Sequence, residues 1–276
     1  MGLATFGDSM LYNLNAGYGM MTRENFASIG GGKLFAVVPS GHPFFQQLQE
    51  IFRDDAEGVP RFYQTISAAL ANCVASRCDT ILVYEGYAET LTAAKALSVA
   101  SVQLLGLGRG TLRPTITVNG AVDGFDVTAA NVVVDNFHFA APETDEATAM
   151  INVGAAGVTL RNITGIGSKT SKNFVDCITV AAGADDLSLE NIRLNNSVVA
   201  VNSFLSLEAA VARMRIEGFY AFGDVATAGI IDAATATQIN WERVSVHVVG
   251  SSKPAATLDS NPTGSIINSR FSGTST

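Results

Sequence analysis

The sequence predicts a mainly β protein: a right-handed parallel β-helix with an N-terminal α-helical cap and an extended N-terminal arm. Three observations predict it. A short motif centred on Asn or Gly recurs through the chain from residue 102 onward, and self-similarity at a period of roughly 20–50 residues marks a solenoid. Apolar residues keep helical spacing before residue 79 and lose it afterwards. Finally, 47% of the 276 residues are hydrophobic, 15% are charged, and 26 glycines face 7 prolines. That composition supplies a core and many turns rather than a disordered chain.

The elements follow in order. Residues 1–33 are rich in Gly, Asn and Met without a steady period, which reads as an extended arm ending in Gly30, Gly31 and Gly32. Residues 34–38, Leu-Phe-Ala-Val-Val, form a strand stopped by Pro39 and Gly41. From Pro43, the apolar residues Phe44, Leu48, Ile51 and Phe52 recur at helical spacing, and residues 54–58 close that helix. A second amphipathic helix is predicted over 61–76, with Phe62, Ile66, Ala69, Leu70, Cys73 and Val74 as its apolar stripe. The chain thus divides into 1–58, an arm with a short strand and helix suited to attachment to a partner, and 59–276, the capping helix and β-helix.

The repeat reads apolar-x-apolar-x-(Asn or Gly)-apolar. Its copies are Val102, Leu104, Gly106, Leu107; Val132, Val134, Asn136, Phe137; Val158, Leu160, Asn162, Ile163; Leu187, Leu189, Asn191, Ile192; Met214, Ile216, Gly218, Phe219; and Ile239, Trp241, Arg243, Val244. The anchors at 106, 136, 162, 191, 218 and 243 are 30, 26, 29, 27 and 25 residues apart. Shorter alternating strands precede several copies, such as Phe125 with Val127, Ile151 with Val153, Ile178 with Val180 and Leu205 with Leu207. Alternation by two sends one row inward and the next outward. The anchor reverses that alternation, so the chain bends there, and Asn and Gly accept left-handed angles at least cost. Arg243 departs from the anchor type, and the final copy over 264–271 is expected to be out of step by one residue.

Gly106, Asn136, Asn162, Asn191 and Gly218 with their flanking apolar pairs resemble the parallel β-helix of the pectin-lyase-like superfamily. The stretch 79–91 is similar to the entry of such domains, where an amphipathic helix caps the first coil. The resemblance covers roughly the last three-quarters of the chain and implies a fold rather than an activity.

The formal charge of −8 disfavours nucleic acid and anionic membrane as partners, since both require a cationic face. Three cysteines, Cys73, Cys78 and Cys177, make no disulfide framework and no metal-type pair. The N-terminus shows neither a secretory signal nor a myristoylation pattern, and folding in a reducing cytosol is expected.

Candidate chemistry lies on the outward row just before the anchors: Asp135, Arg161, Glu190, Glu217 and Glu242. Stacked glutamates about 5 Å apart approach the carboxyl spacing of retaining glycosidases. The simpler alternative is a solvated stripe paired with Arg193, Arg215 and Arg243, with Tyr220 as its nearby aromatic. Lyases of this fold use calcium held by acids plus a basic proton acceptor; Asp123 with Asp126, then Asp185 with Asp186, are the best local pairs, and neither lies in a recognisable motif. His42, His138 and His247 are far apart in sequence, with His138 and His247 in exposed phase. Gly30 to Lys33 lacks the spacing of a phosphate loop, and Cys73 is expected in the core. The sequence therefore assigns no catalytic, cofactor or metal residue.

Parallel β-helices of this kind recur in bacteriophage virions, and residues 33–42 with the helices that follow are similar to the entry region of such proteins. That resemblance implies a non-enzymatic head decoration (cement) protein, made in the host cytoplasm and residing in the virion. Its partners would be the major capsid protein, reached through the arm, and copies of itself as a homotrimer, with no cofactor, nucleic acid or membrane. The competing expectation is a tailspike or fibre, or a polysaccharide lyase or glycosidase, that recognises a bacterial surface glycan.

Overall fold

The computed structural model describes residues 32–55, 57–143, 146–234, 236–249, 253–258 and 263–273. The arm expected over 1–33 falls, apart from Gly32 and Lys33, outside the described residues. The rest winds into a parallel β-solenoid of about 9 turns.

Three columns of strands build it. The first face runs Phe62–Tyr63, Leu34–Val37, Thr80–Val83, Gln103–Gly106, Val133–Asp135 and Thr159–Arg161. It continues through the leading halves of Ser188–Val201, Arg215–Val225 and Ile239–Val248 to Gly264–Ile267. The second face stacks Ala88–Leu91, Thr115–Val118, His138–Phe139 and Thr164–Ile166, then the trailing halves of the same long strands, and ends in Arg270–Gly273. The third stacks Lys95–Leu97, Phe125–Val127, Ala147–Val153, Lys172–Val180, Ser203–Leu207, Ile230–Asp232 and Ala256–Thr257.

Register fixes what lies inside. Phe35, Ile81, Leu104, Val134, Leu160, Leu189, Ile216 and Trp241 stand one above the next in a single column, each fully buried. Burying one such side chain contributes about 1.5–3 kcal/mol, and each column repeats that gain once per coil.

Five anchors lie where the alternation reverses. Asn136, Asn162, Asn191, Gly218 and Arg243 all adopt positive φ, between 52° and 74°. Arg243 is therefore a true corner despite its residue type. Two expectations are corrected. Gly106 is not left-handed, and the positive φ falls instead on Gly108 at 90°. Gly106 is needed for a different reason: a Cβ there would lie 2.3 Å from the Asn136 carbonyl oxygen of the next coil. The final copy is also in step. Ile239 pairs with Gly264 and Trp241 with Ile266, which puts Asn268, with φ 50°, 25 residues after Arg243. Counting Gly264 as a legitimate small residue in the first apolar slot restores the phase.

The helices are shorter than helical spacing predicts. The first, α1, is Phe45–Ile51. Leu48 and Phe52 are buried as expected, whereas Phe44 is exposed and Phe45 takes its place, packing edge-on to Phe62 at 5.0 Å. This helix covers the outer side of the first face, over Ala36, Leu82 and Leu105. The segment 61–76 is not one helix. Phe62–Tyr63 is a strand paired with Leu34–Val37, and only Ile66–Leu70 (α2) is helical. Thr65 starts it late by accepting a hydrogen bond from the Ala68 amide, as an N-cap does. Ile66, Ala69 and Leu70 join the solenoid core, but Val74 is exposed.

Candidate functional site

The outward row of the first face assembles as registered neighbours: Asp135, Arg161, Glu190, Glu217 and Glu242. Its carboxylates are engaged by guanidinium groups. Arg161 Nε forms an ion pair with Asp135 at 2.9 Å, and Arg215 donates to Glu190 at 2.8 Å. Arg215 and Arg243 both hold Glu217, and Arg243 reaches Glu242 at 3.4 Å. The row is thus an alternating lattice rather than a pair of free acids flanking a substrate. Arg193, expected to share in it, does not. It points from the second face, where its guanidinium lies 5.7 Å from the Tyr220 ring centre.

The second face carries a concavity. Continuing the alternation past each anchor places Phe137, Ile163, Ile192, Phe219 and Val244 inward, all fully buried. The residues between them and beyond project outward in two registered rows. One row is His138, Thr164, Arg193, Tyr220 and Ser245; the other holds Ile166, Asn195, Phe222 and His247. Between them lies an open groove of about 620 Å³. Tyr220 and Phe222 are exposed, and Phe222 stacks on His247 with ring centres 5.3 Å apart and planes 17° from parallel. Inward Gly165 lies beneath it, because a Cβ there would lie 2.4 Å from the Met150 sulfur. The groove lining contains no carboxylate residue.

His138 and His247, distant in sequence, therefore share one groove. His138 Nδ1 lies 2.9 Å from Thr164 Oγ1, which also accepts from Arg113 at 3.0 Å. Burial, and after it the Arg113 charge, hold His138 below the ordinary imidazole pKa. His247 Nδ1 lies 2.7 Å from Ser272 Oγ. His42 is elsewhere, buried under Tyr84, with Nε2 3.6 Å from Glu85.

The remaining candidates scatter. Asp123 is pushed above the usual carboxylate range by burial and then by Asp126 and Glu208, while Asp126 accepts from Asn152 at 3.0 Å. Asp185 accepts the Ala212 amide at 2.8 Å, and Asp186 is held low by a two-pronged bond from Arg213. Among the described residues, no group of three or more His, Cys, Asp or Glu could hold a metal ion. Lys33 is committed to Asp55 and Glu57, with the adjoining Gly30 and Gly31 outside the described residues. The Cys73 thiol is partly buried and pushed up to about 12 by burial and then Asp79.

The first-coil floor holds charges where later coils hold apolar residues. Glu89 occupies the column continued by Ile116 and Phe139, and Lys95 the column continued by Phe125 and Ile151. Lys95 Nζ donates to Glu89 at 2.7 Å and to Ser67 of α2 at 2.6 Å, and Tyr87 donates to Glu89 at 2.8 Å. Sequence reasoning missed both this pair and the aromatic rows. The signal for the rows was present in the alternation itself, two and four residues past each anchor.

No helix in the described residues is long and apolar enough to cross a membrane. The chain matches no family model, no curated protein and no solved structure.

Proposed function

We propose that this protein is a non-enzymatic structural component of a bacteriophage virion, a head decoration (cement) protein. On this reading the N-terminal arm binds the major capsid protein, and the solenoid, a right-handed β-helix of pectin-lyase-like kind, stands outward. The right-handed sense follows the strong bias of parallel crossovers. One observation carries the non-enzymatic part: the outward carboxylates of the first face are tied to Arg161, Arg215 and Arg243, and the groove beside them has none. Glycoside cleavage by a carboxyl pair needs both acids free to reach the substrate. Three free thiols, two of them with pKa values raised by burial, fit folding in a host cytoplasm.

The test is direct. Purified full-length protein is added to phage heads lacking it, and binding is read by sedimentation and head survival on heating. Saturable coating with raised heat resistance supports the proposal, and free protein with unchanged heads overturns it.

The exposed rings of Tyr220 and Phe222 favour a second reading, a tailspike or fibre that holds a bacterial surface glycan along the groove. Binding of capsular polysaccharide that is lost in Tyr220→Ala and Phe222→Ala would favour it. Release of reducing ends would restore the enzyme class.

A further inference from the structure

The two ends of the solenoid are built differently. At the first coil α2 lies against the bore, and the Glu89–Lys95 pair, with Lys95 buried and Glu89 partly so, occupies two inward columns. At the last coil the Glu89 column ends in Phe271 and the column that begins at Phe35 ends in Ile266, and these two residues remain 36% and 37% exposed. The strands Gly264–Ile267 and Arg270–Gly273 pair only with Ile239–Val248 among the described residues, so their outer edges are free.

One outward row is decisive. Its members are Ala36, Leu82, Leu105, Asp135, Arg161, Glu190, Glu217, Glu242 and finally Ile267. The apolar residues at its start are covered by α1. The middle is charged, with Asp135 buried and the row from Arg161 to Glu242 open to solvent. Ile267 returns to apolar at the open end and is 47% exposed. Natural sheets blunt free edges with charge, proline or a covering element, and Ile267 does the opposite.

We propose that this end receives the N-terminal arm of a second copy, which adds strands to the free edge and buries Ile266, Ile267 and Phe271. This rests on the reading of the arm as an attachment device and names its site on neighbouring copies. Rigid stacking of one solenoid on the next is blocked at the other end by α2 and the charged pair. Ile266, Ile267 and Phe271 stay exposed among the described residues, and an arm that serves for attachment covers them on a neighbouring copy. At least 31 residues precede Gly32 and include Leu3, Phe6, Leu11, Leu14, Phe26 and Ile29. Extended, that segment reaches about 100 Å, while nine coils rise only about 43 Å. Strand addition of this kind joins main-chain hydrogen bonds to side-chain pockets, and a head-to-tail contact closes into a ring when its rotation permits.

The experiment uses the full chain with a photo-crosslinking phenylalanine analogue at position 271, irradiated in solution without capsids. The expected result is covalent dimers and higher species whose crosslinked peptides come from residues 1–31. Crosslinks within one chain, crosslinks to other segments, or no crosslinks each overturn the proposal. A second variant, Ile267→Lys, should reduce the mass in solution to that of the monomer while the melting transition persists. Retention of the oligomer overturns the proposal equally. Crosslinking without head coating would sink the decoration reading alone, and coating without crosslinking would sink this inference alone.

Discussion

The first-face strands from Val133–Asp135 to Ile239–Val248 are each bracketed by two corners with left-handed backbone, yet only the exit corner is mostly Asn. The exit corners are Asn136, Asn162, Asn191, Gly218, Arg243 and Asn268. The entry corners of the first five, five residues earlier, are Asn131, Gly157, Asp186, Arg213 and Gln238, with φ between 55° and 70°; Ser101 stands likewise before Gly106, which is not left-handed. Backbone hydrogen bonds join successive coils at both, for example Asp186 N to Ala212 O at 2.9 Å and Asn162 N to Glu190 O at 2.9 Å. The exit row adds a side-chain ladder. Asn191 donates to Asn162, Asn162 to Asp135, and Asn136 to the carbonyls of Gly106 and Gly108. Left-handed φ alone does not select the residue; the amide that bridges coils does.

Substitutions at the two kinds of corner should differ in cost. Asn136 is 1% exposed and makes two carbonyl bonds, so Asn136→Val should cost the most, about 3 kcal/mol, seen in denaturant unfolding. Asn162→Val and Asn191→Val, at less buried rungs, should each cost about 1–2 kcal/mol. At the entry corner Gln238→Gly should change stability by no more than about 0.5 kcal/mol, since relief at positive φ offsets unfolded-chain entropy. A cost at Gln238 equal to that at Asn162 would abolish the distinction between corners. Arg215→Ala, which breaks exposed ion pairs, should cost under about 1 kcal/mol and less still in high salt.

The smallest expected effect is a pH dependence. The folded pKa of His138 is depressed, so the unfolded chain takes the proton more readily. Its contribution is present above the ordinary value of 6.5 and is lost as pH falls below it. Melting temperatures between about pH 7.5 and about pH 5.5 should therefore decline less in His138→Gln than in the parent chain. An identical decline would remove His138 from the account.

The same contrast explains what was legible in sequence. The Asn and Gly ladder gave the coil period, the inward columns and the outward charged row, because each depends on residue type at fixed spacing. The entry corners were invisible, since Ser101, Asp186 and Arg213 share a backbone angle and little else. Gly106 misled because a close approach and a left-handed turn both demand glycine. The helix over 61–76 was overextended because Phe62 fits a helical stripe as well as it fits a two-residue edge strand. The groove was hidden because Tyr220 and Phe222 meet Thr164, Arg193 and His247 only through stacking of separate coils.

The register of those coils can be read with a pair of engineered cysteines. Glu217 and Glu242 are register partners, whose Cα atoms should lie about 4.8 Å apart, within the span of a disulfide. Glu190 and Glu242 are two coils apart, about 9.6 Å. With the native cysteines replaced, mild oxidation should close Glu217→Cys with Glu242→Cys and leave Glu190→Cys with Glu242→Cys reduced. Closure of the second pair, or of neither, would contradict the stacked solenoid.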